Sequence, residues 1–396
     1  MSYNVVRFQQ GRRPVTLENE GMSMRNLLDT NKIAQAISAQ GANFRAVIGL
    51  DGFVDELLHV VDKRQDAHSF TKVSTLADLG SRISRAAGLS TNIELAGLTQ
   101  KLGGNGPIFA NALARQGMDV TCIGALGKND IHPVFAEMAT ECKLVSVADP
   151  GLSFNLEFDD GKLIMGKHES LLDITWQALV EKLGLDTLEE MLDPQSLHLL
   201  GLTNWTMIPG MSEIFEGILT DVFPRVRPGD CLAFFDLADP EKRTAEDIAH
   251  VIELIRRFSL RYKAALGVNL KEALQIARVL GIEASGAGKA DLEEITIKTG
   301  CALGIHGFVI HTVTDAGAYC AGQYHYAPGY FTPRPVLTTG AGDNFNAGFC
   351  LGLLSGLSVP GALLVGNASS GFYVRNARSA TLSELAQFIL QHEPAS

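Results

Sequence analysis

From Arg45 onward, short apolar runs alternate with amphipathic ones. "RAVIGL" (45–50), "VTCIGAL" (120–126), "LHLLGL" (197–202), "CLAFFDL" (231–237), "AALGVNL" (264–270) and "GFVIHTV" (307–313) have the length and composition of strands. Several are apolar on both faces, as in a parallel sheet covered by helices on each side. Between them, "GPIFANALARQG", "AEDIAHVIELIRRFSL", "KEALQIARVLG" and "LEEITIKTGCALG" carry helical spacing. The alternation predicts an α/β fold built on a doubly wound, mostly parallel sheet.

Two regions depart from this rhythm. "FNLEFDDGKLIMGK" (154–167) is a pair of alternating runs joined at Asp160–Gly161, a hairpin signal. Residues 52–102 are irregular. Segments around 52–102 and 151–170 are therefore expected to form a small lid. Residues 1–43 precede the first strand, and "MSMRNLLDTNKIAQAISAQG" (22–41) reads as an amphipathic helix ending at Gly41. An extension packed on the core, followed by one large domain over 44–396, is the expected organisation.

Composition narrows the class. Hydrophobic residues make up 46% and charged residues 19%, enough for a large core and too apolar for disorder. Net charge is -11 with no basic run, which argues against nucleic acid as a partner. Six cysteines (122, 142, 231, 301, 320, 350) form no CxxC pair, so neither a disulfide framework nor a zinc site is expected. With no apolar core in "MSYNVVRFQQGRR", a cytoplasmic location is expected. Asn344 to Val374 carries no charge and is long enough to span a membrane. Ser358, Pro360 and Gly361 interrupt it, so two buried helices are expected and no membrane partner.

In open α/β sheets, ligands bind beyond the carboxyl ends of the strands. Asp51 and Asp55 follow the first predicted strand, Asp236 lies near the end of the fourth, Asn269 ends the fifth and Thr312 the sixth. "TTGAGDNFNAGF" (338–349) then opens an apolar helix. Gly340 and Gly342 permit a backbone whose N–H groups converge at a helix N-terminus, a phosphate site. Asp343 would stand in the first turn, within reach of a hydroxyl attacking that phosphate. Taken alone, Asp343 reads equally well as a helix cap. Helix dipole and backbone donors predict a lowered pKa for it, a weak base that a loose transition state tolerates. Behind it, Gly348, Gly352 and Gly356 mark a small face, and Phe345, Phe349 and Leu353 a bulky one.

Three further stretches bear on the site. In "NLKE", Asn269 and Glu272 could hold Mg²⁺ through water, although N-x-x-E by itself is a weak signal. In "LGGNGPIFANALARQG" (102–117), Gly103–Gly104 suit either close approach to a ligand or a tight turn into a helix. "ASGAGKA" (284–290) is not a P-loop, because Glu283 and Ala290 stand where that motif needs Gly and Ser or Thr. No GxGxxG follows the first strand, which disfavours a dinucleotide site.

In this order the pieces resemble the ribokinase-like (PfkB) carbohydrate kinase family over roughly residues 44–391. "GGNGPIFANALARQG" looks like its N-terminal glycine signature, "GALGKND" (124–130) like the strand and turn that follow, and "NLKE" like its magnesium motif. "TTGAGDNFNAGF" looks like the C-terminal signature and is the most specific match. The resemblance implies a three-layer αβα domain with a small β lid. It also implies transfer of the γ-phosphate of ATP to a hydroxyl of a sugar, sugar phosphate or nucleoside. By position, Asp343 would be the catalytic base and the Gly340, Ala341 and Gly342 backbone the anion hole. Asn269 and Glu272 would organise Mg²⁺ and phosphates. Thr312 and Asn367 would contact the nucleotide. Asp51, Asp55, Gly103 and Gly104 would hold acceptor hydroxyls.

Three positions depart from the family pattern. Ile108 replaces an acceptor-binding asparagine, for which Asn105 or Asn111 could substitute. Thr314 replaces a usual glycine. Leu337 replaces an aspartate whose segment often helps hold a monovalent cation, so potassium activation is not expected. The reading is a Mg²⁺-dependent, ATP-using kinase of a sugar or sugar derivative. A nucleoside kinase shares every motif, but only Phe53, Phe70 and Phe154 could line a base pocket in the lid. A non-catalytic nucleotide or sugar sensor on the same fold is the reading from another class. Family lids often pair, which would make a homodimer through the lid.

Overall fold

A computed structural model of the chain describes residues 29–40, 44–283 and 289–394. Its strands are β1 (Arg45–Leu50), β2 (Phe53–Arg64), β3 (Phe70–Lys72), β4 (Leu95–Gly103), β5 (Asp119–Ala125), β6 (Cys142–Ala148), β7 (Gly151–Phe158), β8 (Gly161–Lys167), β9 (Leu199–Thr203), β10 (Leu232–Asp236), β11 (Lys263–Asn269), β12 (Gly307–His311), β13 (Asp315–Cys320) and β14 (Gln323–Pro328). Its helices are α1 (Thr30–Gln40), α2 (Leu76–Arg85), α3 (Asn105–Arg115), α4 (Trp176–Leu183), α5 (Leu185–Leu192), α6 (Met211–Gly217), α7 (Ala245–Phe258), α8 (Leu270–Val279), α9 (Lys289–Leu303), α10 (Ala341–Leu354), α11 (Val359–Asn376) and α12 (Leu382–Gln391).

Nine strands form the main sheet in the order β14-β13-β12-β11-β10-β9-β1-β5-β6. From β6 to β12 every pairing is parallel, and β13 and β14 return antiparallel at one edge. Alternate strand residues feed two apolar layers. Val47, Ile123, Leu200, Phe235, Leu266 and Ile310 face α4 to α9. Ile48, Cys122, Leu199, Phe234, Ala265 and Val309 face α1, α3, α10, α11 and α12. Burial on both faces explains why these strands read as unbroken apolar runs. The strands whose patterns are half polar, β6, β13 and β14, went unread for the same reason.

A second sheet forms the lid: β2 pairs with β3 and β4 antiparallel and with β7 parallel, and β7 and β8 close the expected hairpin. Helix α2 was not foreseen. Its Leu79 packs with Leu58, Val60, Val73, Leu156 and Phe158 and covers one face of the lid sheet. Thr75 caps it, accepting from Asp78 N at 3.0 Å.

Ser358 caps α11 with Pro360 in its first turn, so the long uncharged stretch is two helices. No described helix is long and apolar enough to cross a membrane. At Gly348 a Cβ would come 2.6 Å from the Val365 carbonyl oxygen, and at Gly352 2.7 Å from the Ala362 Cα, so α10 and α11 lie almost backbone to backbone. Gly356 does not share that face. It has φ 77 just past the end of α10 and nothing within 4 Å of its missing Cβ. In the extension, Ile33, Ala34 and Ile37 of α1 pack with Leu385 and Phe388 of α12. The rest of segment 1–43 outside 29–40 and residues 284–288 lie outside the described residues.

Candidate active site

The chain leaves β1 through Asp51 and Gly52 into the lid and returns from β4 through Gly103 and Gly104 into α3. Both crossings meet at the carboxyl edge of the sheet. Gly104 has φ 96, and a Cβ there would lie 2.9 Å from Asp51 Oδ2. At Gly103 a Cβ would lie 2.3 Å from Asp55 Oδ1. The glycines are therefore required by the carboxylates packed against them, which neither reading of this stretch had included.

Asp51 is placed otherwise than expected. It is fully buried, and its oxygens accept from Asn105 N (2.9 Å), Gly106 N (2.7 Å) and Asn204 Nδ2 (2.6 Å). It caps α3 and has little capacity left for a substrate hydroxyl. Burial pushes its carboxyl up to about 6 despite those donors. Asp55 is buried beside Ser153. Burial raises its carboxyl, and Lys101 leads the groups that oppose the rise. Asn105 also differs from expectation: its amide donates to Asp343 Oδ1 at 3.0 Å, so it ties the glycine turn to that aspartate.

Asp343 sits in the first turn of α10, after Gly340 with φ 92. It is buried, and its carboxyl is raised well above the ordinary range. Burial is the main cause, and Asp236 and Asp51 add like charge. The expected depression does not occur: desolvation and neighbouring carboxylates outweigh the helix terminus and the Asn105 hydrogen bond. Ile108 packs against the glycine turn. Its methyl groups lie 3.2 Å from the position of a Gly340 Cβ. A Cβ on Gly342 would lie 3.1 Å from His311 Cε1.

Asp236 completes the cluster. Its oxygens accept from Ala238 N and Asn346 Nδ2, each at 2.9 Å, and burial, then Glu272, push it up to about 7. Glu272 accepts from Asp239 N (2.8 Å) and Asn269 N (2.9 Å), while Asn269 Oδ1 accepts from Glu272 N (3.0 Å). "NLKE" is thus a capping box that also fixes Glu272 toward Asp236. Among the described residues, no cluster of three or more His, Cys, Asp or Glu could hold a metal directly. The donor set suits a hydrated ion carried on phosphate oxygens, as Mg²⁺ usually is.

Thr312 closes the turn from β12 to β13. Its hydroxyl donates to Asp315 Oδ1 at 2.5 Å and accepts from Thr314 N and Asp315 N, both at 3.1 Å. Asn367 is buried and differs from expectation. Its amide donates to the carbonyls of Ala327 (3.1 Å) and Pro328 (3.0 Å), pinning α11 to the end of β14.

The profile of one family, prokaryotic ketohexokinase, matches residues 28–392. The chain belongs to the prokaryotic ketohexokinase family. It is a carbohydrate kinase, a phosphotransferase with an alcohol acceptor. Ketohexokinase of Haloferax volcanii is 27% identical over 349 residues, covering 87% of this chain and 90% of that protein. Fructokinase with bound ATP from Xylella fastidiosa superposes with TM-score 0.60 at 14% identity, covering 88% of this chain and 98% of that one. Adenosine kinase from Sinorhizobium meliloti gives TM-score 0.59 at 16% identity, covering 88% and 99%. At such identities these structures establish the ribokinase-like fold, which the main sheet and lid share.

Several residues at this ketohexokinase-family site carry no role in the sequence reading. Asp236 stood at a strand end, but no motif separated it from other polar loop residues. Asn204, with φ 57, follows β9 in "LTNW" and turns its amide to Asp51. Asn346 is three residues past Asp343, and no sequence signal links it to Asp236. Tyr373 lies in an apolar helix and gave no signal.

Proposed function

We propose that the chain transfers the γ-phosphate of ATP to a hydroxyl of a ketohexose. Asp343 acts as general base, and the backbone amides of Gly340 and Gly342 receive the migrating phosphoryl group, while the Ala341 amide, expected to join them, donates to the Thr338 carbonyl at 3.1 Å and closes the turn. The observation that carries this reading is the buried Asp343 carboxylate at the N-terminus of α10, oriented by Asn105 at 3.0 Å. Asp55, at the lid base against Gly103, orients the acceptor. Asp236 and Glu272 would hold Mg²⁺, with Asn269 fixing Glu272. When bound, the ion would supply positive charge that offsets the phosphates and favours the ionised form of the clustered carboxylates. Thr312 lies at the nucleotide side of the turn. In the transfer step the acceptor oxygen forms a bond to the γ-phosphorus, the bond to the ADP oxygen breaks, and the acceptor proton passes to Asp343.

The face of the lid sheet that carries Asp55 favours a sugar over a nucleoside. Around Asp55 it carries the polar Lys101, Ser153 and Asn155, with Phe53, Leu57 and Ile164 on the same face. Phe154 packs with the covered face, Phe70 lies beside His59, and Phe53 lies edge-on to His168. No stack of these rings offers a slot for a base. The test is ADP release over ketohexoses, aldohexoses and nucleosides with Mg²⁺ present and absent. Ketohexose-dependent, Mg²⁺-dependent turnover is expected, and a preference for adenosine or inosine would contradict it. We also propose a homodimer through the lid, where Leu95, Leu98, Ile164 and Met165 are exposed.

A further inference from the structure

Residues 329–339 lead from β14 into the Gly340 turn without helix or strand, and most of Phe331 to Thr338 is exposed. Three consecutive residues in the last turns of α11 hold this segment. Arg375 Nη1 donates to the Tyr330 carbonyl at 2.9 Å, and its Nη2 to Phe331 at 2.8 Å. The Val374 carbonyl accepts from Val336 N at 2.7 Å. The Tyr373 hydroxyl donates to the Thr339 carbonyl at 2.8 Å.

The last contact touches the proposed chemistry. The Thr339 carbonyl and the Gly340 N–H belong to one planar trans peptide and point in opposite directions. Fixing one fixes the other. Gly340 has no Cβ and φ 92, so its own side gives this peptide little resistance to rotation. The Tyr373 oxygen also lies 2.7 Å from where a Gly340 Cβ would stand, so it fills the space behind the turn. Tyr373 is buried and close enough to Asp343 and Asp55 for both to act on its phenol.

We propose that Tyr373 is a positioning residue for phosphoryl transfer, its hydroxyl holding the Thr339–Gly340 peptide so that the Gly340 amide faces the transferring phosphate. This rests on the kinase reading above and adds a residue that acts through another. Without the hydroxyl the peptide can flip and turn a carbonyl oxygen toward the phosphoryl group, which repels it in the transition state.

The test is Tyr373→Phe, which keeps the ring and removes the donor. Turnover with ketohexose and MgATP, both KM values and the melting temperature are measured beside wild type. The proposal expects kcat to fall roughly tenfold or more, less than the about 10²–10³-fold of losing an oxyanion donor outright because the amide is misaimed rather than removed. It expects KM for the acceptor and for ATP to stay within about threefold and the melting temperature to hold within a few degrees. Unchanged kcat overturns it. A raised acceptor KM at constant kcat also overturns it, since Tyr373 would then be an acceptor contact. A kcat loss that tracks lost melting overturns it in favour of a structural role. If wild type itself releases no ADP with any acceptor, the kinase reading has failed, a result visible before the variant is compared.

Discussion

Three buried carboxylates, Asp51, Asp236 and Asp343, converge at the sheet edge, and burial raises each of them. A group whose folded pKa is raised stabilises the fold below its unfolded value and loses that contribution as pH rises through the folded value. With an ordinary value of 3.8 and folded values of about 6 for Asp51 and about 7 for Asp236, the window runs from about pH 4 to 7. The metal-free protein should therefore melt at a higher temperature at pH 5.5 than at pH 7.5, and Asp236→Asn should flatten the difference. A melting temperature that rises with pH across this range in wild type would contradict the cluster. The same desolvation gives kcat/KM an acid limb: activity should fall on acidification at a pH well above the ordinary aspartate range, because the base must be ionised. The position of Asp343 in a glycine turn was legible in "TTGAGD", but its pKa was not. The donors at a helix N-terminus are local in sequence, whereas Asp236 and Asp51 approach it only through the fold. Asp51 and Asn105 show the same limit, since each was visible as a polar residue at the right edge and each turned out to be bonded to another part of the protein.

Among the elements, the pairing of α10 with α11 decides where the Gly340 turn stands. Gly348 and Gly352 allow the close approach, and Phe345 and Phe349 stack 6.1 Å apart on the sheet side. Gly352→Val would press against the Ala362 Cα. It should destabilise the protein by about 1–3 kcal/mol or more, read as a lower denaturation midpoint at constant slope. An unchanged midpoint would mean that the helices are not packed this closely. The strands of the parallel core were legible because both of their faces are apolar. β13 and β14 were not, since an antiparallel edge mixes polar and apolar residues and gives no clear period. Helix α2 went unread because a single buried position, Leu79, joins it to the lid.

Across the whole molecule, the lid is the part that the proposed dimer would bury. One lid face is covered by α2, while Leu98 and Ile164 remain about half exposed at 49% and 53%. Static light scattering should show a dimer, and Leu98→Lys should shift it to monomer; a wild-type monomer at micromolar concentration would contradict the pairing. Potassium should leave turnover unchanged, because Leu337 carries no charge and the Thr339 and Val374 carbonyls already accept hydrogen bonds. A clear activation by potassium over choline would count against this. The most direct measurement of the proposed chemistry is single-turnover phosphorylation of a ketohexose by Asp343→Asn, with ATP binding measured on the same sample. A rate loss on the order of 10³-fold or more with near-normal ATP affinity is predicted; a near-normal rate would contradict Asp343 as the base.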